Sequence, residues 1–295
     1  MSFNWRDYLE LCKPKVVALL LMTAVIGMFL ATPGMVPVDI LVFGTLGIGM
    51  AAAAAAVVNH VVDRRIDAIM HRTDARPLPQ GNVTPRQAII FAGIMSFTSM
   101  AMLYYLVNPL TAWLTLFGLV GYAFVYTMYL KRATPQNIVI GGISGAIPPM
   151  LGWTAVTGLN GELPAHALLL VLIIYTWTPP HFWALAIHRR DDYAKAKIPM
   201  LPVTHGIDFT KTCILLYTIL LVITTVLPWL VGMSGLVYLI GALILGVLFL
   251  RMSVKLKFGD EKKYAMKTFG FSITYLMLLF SVMLIDHYLP ANPFM

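Results

Sequence analysis

Asn59, Asp63 and Asp67 recur at every fourth position in the stretch NHVVDRRIDAIMHRTDARPLPQG, which follows a run of six alanines. Four residues drift by only about 40° around a helix, so the three oxygen-bearing side chains line one face. Carboxylates and carboxamides are hard ligands suited to Mg²⁺, which keeps several waters and commonly bridges to a substrate's phosphates. Two carboxylates alone bind Mg²⁺ weakly, and a diphosphate would complete its shell. Arg64, Arg65, Arg72 and Arg76 lie alongside as fork-shaped donors for phosphate oxygens. The plain alternative is a solvated helix end whose acids pair with these arginines. Asn59 speaks against it, because it lies one turn inside an apolar segment, where a polar group is costly unless it faces a cavity or partner.

A second stretch, YTWTPPHFWALAIHRRDDYAKAKIPMLP, ends in Asp191, Asp192 and Tyr193. Asp192 and Tyr193 are the favoured pair, with Asp192 expected to join Asn59, Asp63 and Asp67 as a metal ligand. No carboxylate recurs four residues on. Tyr193 and Lys197 instead share a face, as a hydroxyl and a cation suited to phosphate. His181 follows Pro179-Pro180 among Tyr175, Trp177, Phe182 and Trp183, an aromatic setting that suits a flat apolar ligand. The alternative is a core histidine with a satisfied hydrogen bond. His60, beside Asn59, is expected to point elsewhere on its helix and to admit the same two readings as His181. In GYAFVYTMYLKR, Tyr122 and Tyr126 share a face and can stabilise a cation, with Lys131 and Arg132 placed to neutralise a departing diphosphate. The same residues are also ordinary interface anchors. GGISGAIPPMLGW packs small residues, and Pro148-Pro149 should break its helix midway.

The elements that must position these groups are membrane helices. Of 295 residues, 59% are hydrophobic and 12% charged, against roughly 25% charged in soluble domains. Mean hydropathy is +0.80. Nine apolar segments occur, near 16–31, 38–62, 88–107, 111–130, 138–156, 166–187, 213–231, 236–250 and 268–287. Several approach the ~20 residues needed to cross a bilayer. All 21 Lys and Arg fall in the N-terminal lead-in and in four alternate loops. That asymmetry places the N-terminus and these loops in the cytoplasm, with the C-terminus outside. It also assigns the net charge of +8 to topology rather than to nucleic acid. Cys12 and Cys213 form neither a disulfide framework nor a metal spacing. The lead-in lacks a signal-peptide layout and is expected to lie on the membrane surface, and the basic stretch Lys255–Lys267 is expected to anchor to anionic lipid.

The expected fold is therefore all-α: nine transmembrane helices in one bundle around a central cavity, a single domain over residues 1–295. RTDARPLPQGNVTPRQ after the second span is echoed by AKIPMLPVTHGIDFTK after the sixth. This suggests two related halves, spans 1–4 and 5–8, plus a ninth helix.

The two cytoplasmic motifs, the proline-glycine turns and GAIPP together resemble the UbiA superfamily of intramembrane prenyltransferases. PHFW and the Arg-Thr-x-x-Arg-Pro-Leu run point to its haem-modifying branch rather than its quinone-precursor branches. The resemblance implies transfer of a farnesyl group from farnesyl diphosphate to the 2-vinyl carbon of haem B, with water addition, in a bacterial inner membrane. It further implies Mg²⁺ and diphosphate at Asn59, Asp63 and Asp67, a second polar site at Asp192 and Tyr193, and contact with a haem A synthase or a terminal oxidase as an open partner. His181 is the candidate for holding haem. Prenylation of an aromatic quinone precursor and transport of a small solute are the alternatives; the one-sided placement of the acids weighs against transport.

Overall fold

The computed structural model describes residues 4–71, 73–158 and 165–289, and every regular element among them is helical. In chain order these are α1 (Trp5–Leu11), α2 (Pro14–Leu30), α3 (Val38–Asp67), α4 (Pro85–Leu106) and α5 (Pro109–Val120). A π-helix, π1 (Gly121–Leu130), follows, then α6 (Lys131–Ala133), α7 (Asn137–Ala146), α8 (Pro148–Thr157) and α9 (Ala165–His188). The chain ends with α10 (Arg190–Lys195), α11 (Leu201–Thr204), α12 (Ile207–Leu230), α13 (Leu236–Phe258) and α14 (Glu261–His287).

Eight helices or continuous helix runs are long and apolar enough to cross a membrane, and α1 with α2, bent by 54°, makes a ninth if counted as one span. The protein is thus a multi-pass, all-α membrane protein with eight or nine candidate spans among the described residues, in agreement with the expected fold class. Boundaries follow local chemistry. Thr84 and Gln87 form a reciprocal capping box at the start of α4. Pro148 starts α8 immediately after α7 stops, as a proline without an N–H dictates. Asp286 near the end of α14 accepts from the backbone N–H groups of Gly235 (2.5 Å) and Tyr238 (3.0 Å), capping α13 from a neighbouring helix. The basic stretch at 255–267 is a helical hairpin tied back to α12 by Lys211–Glu261 (3.0 Å) and Lys257–Asp208 (2.8 Å).

The packing gathers the spans into one bundle. α3 lies against α4, α9 against both α12 and α14, and α2 against α8. Two glycines allow the last of these contacts. A Cβ at Gly152 would overlap the carbonyl of Ala24, and one at Gly27 would overlap the carbonyl of Pro149. By contrast, nothing lies within 4 Å of a Cβ built at Gly145. Gly152→Ala is expected to destabilise the protein by about 1–3 kcal/mol, read as a lowered thermal unfolding midpoint in detergent. Gly145→Ala should leave that midpoint unchanged or raise it slightly.

Candidate active site

The polar end of α3 is the centre of a buried charge cluster. Asn59, Asp63 and Asp67 are 5%, 1% and 4% exposed, and they share the face that their spacing implies. Asn59 donates to Asp63 Oδ2 at 2.8 Å, and the same oxygen accepts from Lys131 Nζ at 2.6 Å. Arg132 stands 3.8 Å from Asp63 Oδ1, which has no hydrogen-bond partner among the described residues. Asp67 accepts from Arg76 Nη1 at 2.7 Å, across the turn that Thr73 fixes by donating to the Asp67 carbonyl at 3.0 Å.

Lys131 reaches the row because π1 delivers it. Thr127 donates its hydroxyl to the carbonyl of Tyr122, five residues back, and its oxygen accepts from Asn59 Nδ2 at 3.3 Å. The wider π turn brings Tyr122 and Tyr126 into a stack, with ring centres 5.5 Å apart. Such segments concentrate at functional sites. Gly141 lets α7 close on the Tyr126 ring.

Lys13 was not foreseen. It stands at the α1–α2 break in a left-handed conformation, φ +51°, and donates to Asn59 Oδ1 at 2.5 Å. A non-glycine residue held there stores strain that the surrounding structure must offset. Lys13 also interacts electrostatically with Arg76, Lys131, Asp63 and Asp67. The cluster therefore sets three largely buried cations against two carboxylates, an excess of positive charge that favours an anion.

Several residues lie elsewhere than expected. Arg64 turns back to the carbonyl of Val61 at 3.1 Å and lines a surface recess with Arg65 and Arg132 rather than the cluster. Arg72 falls outside the described residues. Lys197 is exposed at φ +54° and makes no side-chain ion pair among the described residues. Asp192 pairs with Arg189 on its own side at 3.9 Å. No group of three His, Cys, Asp or Glu residues that could hold a metal forms among the described residues. Tyr193 packs against the cluster of Met70, Ile138 and Trp183 and interacts electrostatically with Tyr126.

The histidines exchange places. His181 is stacked between Trp177 (4.3 Å) and Phe269 (4.6 Å), and its Nδ1 bonds Ser272 Oγ at 2.7 Å. Trp177 itself donates to the Ser272 carbonyl at 2.8 Å. Trp183 packs with Ile198, Met200 and Leu201 and meets Tyr217 edge-on, so its ring fills a core rather than lining a cavity. His60, expected to point away, lies seven residues from Asp67 on the same face of α3, with Lys13, Arg76 and Lys131 around it.

A buried, mainly cationic cluster with two carboxylates, at the end of a helical membrane bundle, is the arrangement of an intramembrane site for an anionic substrate. The UbiA prenyltransferase family matches residues 20–282, and the chain belongs to that family. It is 64% identical over 292 residues to a protoheme IX farnesyltransferase of Alcanivorax borkumensis, covering 98% of this chain and 95% of that one. It is 62% identical to a protoheme IX farnesyltransferase of Shewanella denitrificans, covering 98% and 95%. Its fold is similar to that of a digeranylgeranylglyceryl phosphate synthase, with TM-score 0.79 and 19% identity over 96% of this chain and 98% of that one. A UbiA homologue of Archaeoglobus fulgidus bound to DMAPP and Mg²⁺ matches with TM-score 0.67 and 18% identity, over 94% and 99%.

The Asp63–Lys131 pair invites a direct check. Lys131→Met should cost about 3–5 kcal/mol, because it strands a buried carboxylate. Lys131→Met combined with Asp63→Asn should recover most of that loss. Thermal unfolding of the single and double variants in detergent reads both values.

Proposed function

We propose that this protein transfers the farnesyl group of farnesyl diphosphate to the 2-vinyl group of haem B, forming haem O and diphosphate. The observation that carries the reading is the buried cluster around Asp63, which offers cations for an anion and one unsatisfied carboxylate oxygen for a metal ion. The relatives named as protoheme IX farnesyltransferases supply the acceptor and donor.

The donor set suits Mg²⁺. Asp63 Oδ1 has no hydrogen-bond partner among the described residues, and Asp67 is one turn away on the same face. Asp63 and Asp67, with the Asn59 amide beside them, would hold the ion against the substrate diphosphate, as the Mg²⁺-bound homologue supports. Bound there, Mg²⁺ would draw electron density from the diphosphate oxygens. Lys131, Lys13 and Arg76 provide fixed positive charge where the leaving oxygen becomes negative. As the C1–O bond breaks, the stacked Tyr122 and Tyr126 offer ring faces to the allylic cation. The vinyl carbon bonds to C1, water adds to the resulting cation, and the water proton departs with the diphosphate. Lipid-walled helices keep water from the first cation until the carbon–carbon bond has formed. Asp192 and Tyr193 form the second polar wall.

We place the N-terminus and this site at the cytoplasmic face of a bacterial inner membrane, the C-terminus outside, and read the bundle as two four-helix halves with a ninth helix. The one-sided Lys and Arg distribution supports that orientation.

Purified protein supplied with labelled farnesyl diphosphate, haem B and Mg²⁺ should form labelled haem O. Asp63→Asn should abolish product without altering insertion, and Lys13→Met should lower kcat by about 10²–10³. Chelating Mg²⁺ should stop turnover, and restoring it should recover the activity. Labelled product only with hydroxybenzoate or naphthoate would overturn the choice of acceptor. Unchanged turnover but altered solute flux in Asp63→Asn would overturn the enzyme reading.

A further inference from the structure

His60 is 2% exposed, and neither of its ring nitrogens has a hydrogen-bond partner among the described residues. A neutral imidazole carries one N–H donor and one lone pair. Leaving such a group buried and unpaired forfeits its hydration with nothing in return, so an orphan of this kind calls for an occupant. Its surroundings are those of the reaction rather than of the core. His60 shares a face of α3 with Asp67, sits three residues from Asp63, and has Lys13, Arg76 and Lys131 as its charged neighbours.

We infer that His60 ligates the iron of the haem acceptor while the macrocycle lies in the bundle. The inference rests on the reading that haem B is the acceptor, and it adds the residue that positions that acceptor. An imidazole lone pair is a common axial ligand for haem iron. Residues three and four apart on a helix have Cβ atoms about 5–6 Å apart. Iron held by His60 is therefore within roughly one helical turn of the Asp63 cluster. Such a ligand would hold the macrocycle next to the cluster proposed to take the diphosphate. His181 is the contrasting case. Trp177 and Phe269 stack on its ring, and Ser272 occupies its Nδ1, so one of its two nitrogens already has a protein partner, whereas neither of His60's has among the described residues.

The test is a titration of the purified full-length protein in detergent with ferric haem B, followed by the Soret band and by electron paramagnetic resonance. Wild type and His181→Ala should give a histidine-ligated spectrum. His60→Ala should lose it, bind haem about ten-fold or more weakly, and regain the ligated band when imidazole is added. Metal-free protoporphyrin IX should bind wild type and His60→Ala equally, which also reports that the variant is folded. An unchanged ligated spectrum in His60→Ala overturns the inference. So does an equal loss of metal-free porphyrin binding, which would make the ring a packing element. Wild type that farnesylates haem B without showing a ligated spectrum overturns the ligation and leaves the reaction standing. Wild type that neither binds nor farnesylates haem B overturns the reaction reading itself.

Discussion

A carboxylate with 1% exposure inside a membrane bundle persists only if cations come to it, and Asp63 is that constraint. Lys131 meets it at 2.6 Å, and Asn59 bridges it to Lys13. Each partner then dictates geometry elsewhere. Lys131 arrives at the end of a π-helix, whose altered turn stacks two tyrosines over the same site. Lys13 arrives from a strained break between α1 and α2. The close seat of α2 on α8, permitted by Gly27 and Gly152, holds that helix against the bundle.

The same compensation would let one site serve an anion and an allylic cation in sequence, as the proposed reaction requires. Three cations stand against two carboxylates, so a diphosphate that shares Lys131 and Arg76 with Asp63 and Asp67 would still meet an excess of positive charge. Aromatic faces lie next to that counter-charge rather than within it. The apolar surroundings strengthen both interactions, because charges interact more strongly where water is excluded.

Much of this was legible in the sequence, for identifiable reasons. Helical spacing alone placed Asn59, Asp63 and Asp67 on one face, and the Lys and Arg pattern marked where spans end. Lys131 and the two tyrosines were visible as a span terminus, although not as a π-helix. Lys13 and Thr127 were not legible, since their bonds to Asn59 cross 46 and 68 residues of chain. His60 was noted beside His181 but not placed at the charge cluster. Its phase relative to Asn59 points away, whereas its phase relative to Asp67 points inward, and only packing decides between them. His181 and Trp183 misled because aromatic richness signals a ligand cavity and a packed core equally. Here both rings are enclosed by the protein's own side chains.

The most direct test of the central claim is an experimental structure with a non-ionising farnesyl thiodiphosphate and Mg²⁺. The expected result is a diphosphate lying between α3 and Lys131, within contact of Lys13 and Arg76, with Mg²⁺ on Asp63 Oδ1. A diphosphate seated on the Arg64–Arg65 surface or on the basic hairpin at 255–267, with the Asp63–Lys131 pair untouched, would contradict it.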